Sequence, residues 1–406
     1  MRIFYASDST PNPLIKSELW RNNLYLPLVD LGHEVIEFQY DLRETFQNLF
    51  TEDPKQNEFI ERNRPLLSAA LLKQIKATHA ASPVDLFFSY FNDACVLPEV
   101  IDEIKSMGIT TVNWYCNGSY QLHLVSNIAP HYDWCLVPEK FRLRDYLAMG
   151  AHPIYCQEAA NPKIYKPFDV SVDFDVTFVG QAYGERPAYI SRLLTAAIDV
   201  RVWGDRWGLY CEPEPEPEPA QIPIARRSTT QRAKDLLSAL RTAEGRQHLS
   251  GRLGFTPSDN HQVVQGAGEA AKALLPRRIM GDVLSDLQMI QMYSRSKINL
   301  GFSTCGESHL SDQKILQIRL RDFEVPMSGG FYMVEYMEEL DEFYEVGKEI
   351  VCYQSLEDLV DKIQYYLSHD DQREMIRRAG YERCLRDHTW HKRFEAAFES
   401  MGLLPH

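Results

Sequence analysis

The stretch from Arg319 to Gly330 combines charged side chains with a glycine pair at a spacing that suits ligand binding. Glu324 follows Arg321 by three residues, and the Gly329-Gly330 pair begins five residues after Glu324. A carboxylate can accept two hydrogen bonds from a vicinal diol such as that of a ribose. Glycines at a helix–strand junction let the backbone approach an oxyanion closely. An ordinary turn with a glycine cap would give the same pattern, so both interpretations stay open.

A second glycine-containing loop, Gly180-Gln-Ala-Tyr183-Gly184, follows an apolar segment and precedes a predicted helix that begins at Arg186. Backbone N–H groups, the helix N-terminus and the Arg186 guanidinium could together hold a diphosphate. The loop has neither the Gly-Lys-Ser/Thr of a P-loop nor the complete Gly-x-Gly-x-x-Gly of a dinucleotide fingerprint. An ordinary turn between strand and helix is therefore the alternative.

Two further polar residues, Lys297 and Asn299, lie at the start of a predicted strand in the second half of the chain. A cation and an amide at this point are candidates for binding the same anionic ligand. The alternatives are a solvated lysine at a helix end and an amide that satisfies a turn.

Candidate acid–base residues follow predicted strands in the first half of the chain. Asp8 comes directly after the first strand and is the first candidate for a general base, with His123 as the second. Asn117 follows a predicted strand at 110–115, as Asp8 follows the first strand, and is therefore a third candidate. Turn formation and helix capping are the structural alternatives for Asp8 and Asn117.

Bulk composition narrows the function classes. A chain of 406 residues exceeds one ordinary core, so two domains are expected. The net charge of −14 argues against binding to nucleic acid or anionic lipid, both of which need a basic face. No apolar run approaches about 20 residues, which predicts no membrane span. The chain starts with a predicted strand and not with a signal-peptide pattern. Its eight cysteines form no Cys-x-x-Cys pair. A location in the reducing cytoplasm is therefore expected.

The first half of the chain alternates continuous apolar segments with helical ones, which indicates a parallel sheet covered on both faces. The predicted strands are 2–6, 34–38, 84–90, 110–115, 133–137 and 153–156, and the predicted helices are 17–31, 43–78 and 98–107.

The pattern restarts after a proline-bearing segment at 159–167, which is typical of an interdomain linker. The predicted strands are 174–179, 200–203, 298–302, 331–334 and 349–353, and the predicted helices are 186–197, 281–295, 312–323, 355–368, 371–386 and 388–401. An acidic Glu-Pro repeat at 212–219 lies in a segment, 205–265, that we interpret as a surface loop with one helix.

The predicted fold is therefore α/β, with two doubly wound, Rossmann-like domains that face a central cleft. The predicted boundaries are 1–167 for the first domain, 168–387 for the second with its inserted loop at about 205–265, and 388–406 for a helix that returns to the first domain. Ligands of such sheets bind beyond the carboxyl ends of the strands, which places a ligand in the cleft.

Several motifs give the chain a resemblance to a known family. It resembles the CgeB-like (spore-maturation) glycosyltransferases of the GT-B fold, most clearly over 175–205 and 285–395. The motifs are Asp175-Val-Thr-Phe-Val-Gly180, Ser296-Lys297-Ile-Asn-Leu, Arg321-Asp-Phe-Glu324, Gly329-Gly330-Phe, Phe343-Tyr-Glu-Val-Gly347-Lys348-Glu349-Ile and His388-Thr389.

The resemblance implies a nucleotide-sugar donor held by the second domain and an acceptor held by the first. Glu324 and Gly329 match the Glu-x-x-x-x-Gly of GT-B donor sites, in which the glutamate binds the nucleotide ribose. Leu316 stands where retaining members often have a second glutamate, so stereochemistry stays open. The expected donor-binding residues are Gly180, Tyr183, Arg186, Lys297, Asn299, Arg319, Arg321, Glu324, Gly329 and Gly330.

The predicted function is that of a hexosyltransferase-type glycosyltransferase, which moves a sugar from a nucleotide diphosphosugar to a hydroxyl group. The expected donor is first a UDP-sugar, the acceptor is a glycan, a protein or a small molecule, and neither a metal nor another cofactor is expected. A nucleotide-sugar epimerase or hydrolase on the same fold is one alternative. A protein that binds a nucleotide sugar or glycan without turnover is the other.

Overall fold

Two six-stranded parallel sheets organise the chain in this computed structural model, which describes residues 1–7, 17–212 and 274–403. The first sheet has the strand order β2-β1-β3-β4-β5-β6. Its interior strands are almost wholly buried, as their continuous apolar sequences predict. Its strands are β1 (Arg2–Ala6), β2 (Glu34–Glu37), β3 (Leu86–Ser89), β4 (Thr110–Trp114), β5 (Trp134–Val137) and β6 (Pro153–Tyr155).

The second sheet repeats this architecture with the order β12-β11-β10-β7-β8-β9, again entirely parallel. Both sheets lie in one compact unit formed by residues 1–211 and 274–406. The strands are β7 (Phe174–Val179), β8 (Val200–Trp203), β9 (Met280–Gly281), β10 (Ser296–Gly301), β11 (Tyr332–Glu335) and β12 (Val351–Tyr353). The α/β prediction of two doubly wound domains is confirmed.

Helices cover both sheets, and polar side chains mark where several of them begin. Asp53 accepts hydrogen bonds from the backbone N–H groups of Lys55 and Gln56 and so starts α2, while Ser285 caps α7. The helices are α1 (Leu26–Asp30, after a π-turn at Arg21–Tyr25), α2 (Pro54–Ala81), α3 (Pro98–Ser106), α4 (Gly118–Gln121), α5 (Leu143–Ala148), α6 (Arg186–Thr195), α7 (Asp286–Arg295), α8 (Leu320–Met327), α9 (Leu356–Leu367), α10 (Asp370–Asp387) and α11 (Trp390–Ser400).

The last helix, α11, packs on the first sheet, as the sequence predicted. The rings of Trp390 and Trp114 meet edge to face with centroids 5.4 Å apart, and Phe394 packs against Phe88 in the same way at 5.7 Å. Such aromatic pairs add to the stability that burial of the rings provides. The chain thus crosses back from the second sheet to the first before it ends.

The helix predicted at 312–323 is wrong. Residues 303–305 instead pair with 315–317 in antiparallel fashion, through the Thr304–Leu316 bridge and the hydrogen bond from the Cys305 N–H to the Ile315 carbonyl. The intervening residues are mostly polar and form the tip of a loop. Helix α8 begins only at Leu320, so Glu324 lies in the middle of the helix rather than at its end. The helix predicted at 43–78 likewise begins later, at Pro54.

The predicted domain boundaries at 167 and 387 remain predictions. Most of the predicted loop at 205–265, including its Glu-Pro repeat and its helix, lies outside the described residues. Within the described ranges, no helix is long and apolar enough to cross a membrane. All eight cysteines are buried, which agrees with their apolar sequence surroundings.

Candidate functional site

The carboxyl edges of the two sheets meet, and loops from both sheets interlock there. After β4, the Ser119 hydroxyl donates a 2.6 Å hydrogen bond to Oε1 of Gln317, which precedes α8. The Gln317 amide donates in turn to the Cys116 carbonyl at 3.2 Å. Further along the same boundary, the Gln157 amide donates to Glu339 at 3.1 Å. The predicted location of a cleft at the carboxyl ends of the strands is therefore the place where the two halves of the chain contact each other.

The loop after β7 places a buried cation at this edge. The Arg186 guanidinium lies 3.7 Å from the centroid of the Tyr183 ring and donates to the Gln181 carbonyl at 2.9 Å. Its Nε is buried and has no hydrogen-bond partner in the described chain. Burial, together with the positive charges of Arg319 and Arg321, lowers the pKa of Arg186 to about 9. The positive charges of Arg186, Arg319 and Arg321 therefore lie close enough to act on one another.

The other two arginines have different surroundings. Arg319 is anchored, because its guanidinium donates to the backbone carbonyls of Phe302 at 3.0 Å and Thr304 at 2.9 Å. These bonds hold the loop after β10 in place. Arg321, in the first turn of α8, has a buried Nε without a partner among the described residues. Arg186 and Arg321 therefore keep N–H donors for an anionic ligand, whereas Arg319 uses its donors to shape the loop.

Glu324 is a buried carboxylate on α8 whose charge acts on Arg321. It is 3% exposed, and its Oε1 has no hydrogen-bond partner in the described part of the chain. Burial raises the pKa of Glu324, while the charge of Arg321 and a hydrogen bond from Tyr165 lower it. A buried carboxylate oxygen without a donor is unfavourable, so a ligand hydroxyl that donated to it would be bound favourably.

The first sheet contributes Glu139, a carboxylate that the sequence interpretation missed. It follows β5 and accepts a hydrogen bond from the Ser119 N–H at 3.3 Å, while its Oε2 is buried without a partner in the described chain. Burial raises the pKa of Glu139 to about 7, against the lowering effect of the Ser119 and Gly118 N–H groups. Arg142 donates to the carbonyls of both Gly118 and Ser119, which holds the loop whose Ser119 N–H bonds to Glu139.

A second missed carboxylate, Glu158, follows β6, which neighbours β5 in the sheet. Its side chain is buried and its Oε2 lacks a partner among the described residues. Burial raises the pKa of Glu158 well above its usual value, and the negative charges of Glu139 and Glu324 raise it further, against the opposing charge of Arg319. The charges of carboxylates on the first sheet and of arginines on the second therefore influence one another's pKa values across the cleft. The sequence indicated Glu139 and Glu158 only by their position, because each glutamate comes just after a predicted strand.

Glu335 at the end of β11 is a third missed residue. Its carboxylate accepts hydrogen bonds from the backbone N–H groups of Ser303 at 3.1 Å and Thr304 at 3.0 Å, and forms a 2.7 Å ion pair with Lys314. Glu335 therefore holds the loop after β10 in place. A small cavity at this point is lined by Tyr183, Glu185, Arg186, Tyr189, Phe302, Thr304, Gly306 and Glu335.

The structure does not bring Lys297 and Asn299 to the cleft. Lys297 is the second residue of β10 and forms a 2.8 Å ion pair with Asp175 at the start of β7. It is thus separated from Phe302 by about 16 Å along the strand. Asn299 is buried within β10, where its amide donates to the Tyr293 carbonyl at 3.1 Å. Both residues stabilise the amino half of the sheet.

The Gly329-Gly330 pair also lies at the amino edge, where α8 turns into β11. Gly329 has a φ of +70°, which favours glycine, and its carbonyl accepts a 2.8 Å hydrogen bond from Arg377. A Cβ at Gly330 would lie 2.8 Å from the side chains of Asn299 and Val325. The pair therefore permits a tight turn and close packing, which is the alternative interpretation of this motif. Gly180, in contrast, lies at the carboxyl edge, where its carbonyl accepts from the Trp207 indole at 2.8 Å.

Among the predicted acid–base candidates, Asp8 lies outside the described residues. His123 is exposed on a short 3-10 turn at Leu122–Val125. Asn117 is half-buried at the cleft and donates a 3.3 Å hydrogen bond to the Tyr90 hydroxyl. Their catalytic roles remain predictions. Within the described ranges, no group of three or more histidine, cysteine or acidic side chains is arranged to hold a metal ion.

Two facing doubly wound sheets, a cleft at their carboxyl edges and a returning terminal helix define the GT-B fold, the class to which this chain belongs by structure. Solved structures confirm it. Sucrose-phosphate synthase from Thermosynechococcus elongatus has a TM-score of 0.55 at 12% identity over 99% of both chains. Anabaena HepE, solved with UDP-glucose, has a TM-score of 0.53 at 12% identity over 100% of both chains. A glycosyltransferase from Rickettsia africae has a TM-score of 0.50 at 11% identity, covering 98% of this chain and 97% of that one.

The sequence itself carries a more specific similarity. Residues 226–399 match a family model described as glycosyl transferase-like, which spans α7 to α11 and therefore includes Arg319, Arg321 and Glu324. No curated protein sequence matches the chain significantly. The chain is thus similar to glycosyltransferases in its second half and has their two-domain fold throughout.

Proposed function

We propose that this protein is a glycosyltransferase that moves a sugar from a nucleotide diphosphosugar to a hydroxyl acceptor. The observation that carries the proposal is the grouping of Arg186, Arg321 and Glu324 at the carboxyl edge of the second sheet, within a cleft closed by the first sheet. Cations suit a diphosphate, and a carboxylate suits a ribose diol. The match of residues 226–399 to a glycosyl transferase-like family supports the same conclusion.

Transfer requires that charge growing on the departing diphosphate be stabilised. The partnerless Nε groups of Arg186 and Arg321 would donate to the phosphate oxygens, while Arg319 keeps the loop after β10 in the necessary shape. Because the arginines supply this positive charge, we propose that the reaction needs neither a metal nor another cofactor. A UDP-sugar is the first donor to test, since the structurally similar HepE was solved with UDP-glucose.

The first sheet offers a group to accept the proton of the attacking hydroxyl. Glu139 combines an unpartnered oxygen with a pKa of about 7, which suits a general base near neutral pH. Ser119 donates its N–H to Glu139 and its hydroxyl to Gln317, so the carboxylate lies where the loops of the two sheets meet. Asp8, His123 and Asn117 are the sequence-derived candidates for the same role. The CgeB-like subfamily and a hexose as the transferred sugar are part of this proposal.

Product analysis with a panel of UDP-, GDP- and ADP-sugars tests the proposal. With a mixture of glycan, peptide and small-molecule alcohols present, one donor should release its nucleoside diphosphate and yield a glycosylated product. Release of free sugar that no acceptor increases would indicate a hydrolase, and interconversion of donor sugars would indicate an epimerase. Donor binding without any release would favour a non-catalytic binding protein.

A further inference from the structure

A cavity of about 330 Å³ lies at the amino edge of the second sheet, the edge away from the cleft. Its volume falls within the range of about 300–1,000 Å³ that small-molecule sites have. The wall is built from the segment that follows residue 166, the start of β10, the turn between α8 and β11, and α10. Lys297 and Gly329, which the sequence motifs singled out, both line it. These two residues thus meet at a cavity that the proposed glycosyl transfer does not use.

Positive charge predominates in the wall of this cavity. Among the described residues that line it, three are cations and one is a carboxylate: Lys297, Arg373, Arg377 and Glu374. The carboxylate is already engaged, because Oε2 of Glu374 accepts a 2.7 Å hydrogen bond from Nε of Arg377. Lys297 and Arg373 pair with Asp175 at 2.8 Å and with Asp370 at 2.6 Å, and neither aspartate is among the described lining residues. An anion that entered the cavity would therefore meet mainly cations.

Backbone contacts hold the two arginines in place and leave them further donors. Arg373 is only 12% exposed in its side chain and donates to the Tyr366 carbonyl at 2.5 Å. Arg377 donates to the Gly329 carbonyl at 2.8 Å. A guanidinium carries five N–H donors and an ammonium three, so these bonds and ion pairs do not use all the donors of either arginine or of Lys297. Cations that are already oriented lose less conformational freedom when they bind a ligand.

The remaining wall is partly apolar and suits an organic body attached to the anion. Pro167 and Phe168 contribute to it from the segment that enters the second sheet. That segment is fixed at two points: the Phe168 N–H donates to the Ser294 hydroxyl at 3.1 Å, and a Cβ at Gly329 would lie only 2.8 Å from the Pro167 ring. The cavity thus combines a cationic wall with an apolar one.

We propose that this cavity binds a small organic phosphate ester, with Lys297, Arg373 and Arg377 around the phosphate and the organic body against Pro167 and Phe168. A phosphomonoester carries a charge of about −1.5 to −2 at pH 7, which suits several cations better than a carboxylate would. The planar guanidinium matches phosphate oxygens with two donors at once, and lysine adds a point charge. A bound ester would also connect the segment that enters the second sheet to α10, the helix through which the chain leaves it.

Calorimetric titration of the full chain with glucose 6-phosphate, glycerol 3-phosphate and phenyl phosphate tests this site. At least one ester should bind more tightly than inorganic phosphate, because its body contacts the apolar wall, and uncharged glucose should bind at least roughly tenfold more weakly than that ester. Arg373→Ala should weaken binding of the same ester by roughly tenfold or more, because a charge-assisted hydrogen bond is lost. Arg378→Ala is the matched control, since it removes a charge from the exposed face of the same helix and should leave the affinity unchanged.

Lys297→Ala provides an independent variant in case Arg373→Ala does not fold, and it should weaken the ester in the same way. An affinity that the folded variants leave unchanged would overturn the proposal. A loss of ester binding in Arg186→Ala, with Arg373→Ala unaffected, would place the ester in the cleft and overturn it as well. Inorganic phosphate bound as tightly as every ester would show an adventitious ion only, and absence of binding by all three esters would also contradict the site. The proposed glycosyl transfer does not depend on any of these results.

Discussion

The hydroxyl of Ser119 donates a 2.6 Å hydrogen bond to the side chain of Gln317, and this pair joins the loop after β4 to the loop before α8. Gln317 is buried, also accepts from Cys305 and donates to the Cys116 carbonyl. One side chain thus connects the two sheets at the place where the proposed donor and acceptor would meet.

Gln317→Ala should destabilise the closed arrangement of the two sheets. The substitution leaves the buried Ser119 hydroxyl and Cys116 carbonyl without their partner, which typically costs about 1–3 kcal/mol. Urea unfolding measures the loss. Gln74→Ala is the control, because Gln74 bonds only to the Gln39 backbone near the surface and should cost less. Equal losses in the two variants would show that the Ser119–Gln317 contact does not hold the sheets together.

Glu139→Gln should slow sugar transfer by about 10²–10⁴, the usual contribution of a general base. In the wild type, the transfer rate should rise with pH through about 7, because only the ionised carboxylate can accept a proton and its pKa is about 7. The variant should lose both the rate and this pH dependence while binding the donor as before. A wild-type-like pH profile in Glu139→Gln would exclude Glu139 and return attention to Asp8, His123 and Asn117.

The same glutamate should make stability depend on pH. Its pKa is raised from 4.5 to about 7 in the folded protein, so its contribution is fully present below pH 4.5 and is lost as pH rises through 7. That shift corresponds to about 3 kcal/mol. Relative to the wild type, Glu139→Gln should therefore gain stability by up to this amount between pH 4.5 and pH 8, as measured by denaturant unfolding. A flat difference for Glu139→Gln across this pH range would contradict the burial argument.

Arg186→Ala and Arg321→Ala should each slow turnover by about 10²–10³, because each removes a donor proposed to stabilise the departing diphosphate. Arg378→Ala, on the exposed surface of α10, is the matched control and should leave turnover unchanged. Turnover should also survive EDTA, since the arginines supply the necessary charge. Complete inactivation by EDTA, with rescue by Mg²⁺ or Mn²⁺, would refute the metal-independent mechanism.

Sequence patterns predicted the fold well because many of its strands are continuous apolar segments between helices, as in Trp134–Val137. The helix at 312–323 was wrong because Ile315, Leu316 and Ile318 have a helix-like spacing, yet the first two belong to a paired loop segment. Tertiary pairing of that segment with 303–305 decided its structure, and no local signal reveals such pairing.

The site was predictable only in part. Arg186, Arg321 and Glu324 were identified through glycine-loop and family motifs, and their roles in donor binding remain predictions. The position of Lys297 away from the carboxyl edge follows from the sequence, because the residue lies at the start of a parallel strand. Glu139 and Glu158 were missed because a single glutamate after a strand resembles a turn residue. Only the fold shows that both are buried opposite the arginines.

The most direct test of the proposed nucleotide site is the affinity of the Glu324→Ala protein for the nucleoside diphosphate that the wild type binds tightest, measured by calorimetry. Loss of the carboxylate should weaken binding by about 1–3 kcal/mol, roughly fivefold to more than a hundredfold, because a charge-assisted hydrogen bond to the ribose disappears. Glu345→Ala, at an exposed position, is the control. An unchanged affinity in the folded Glu324→Ala protein would contradict the assignment of Glu324 to the ribose, and with it the proposed location of the donor.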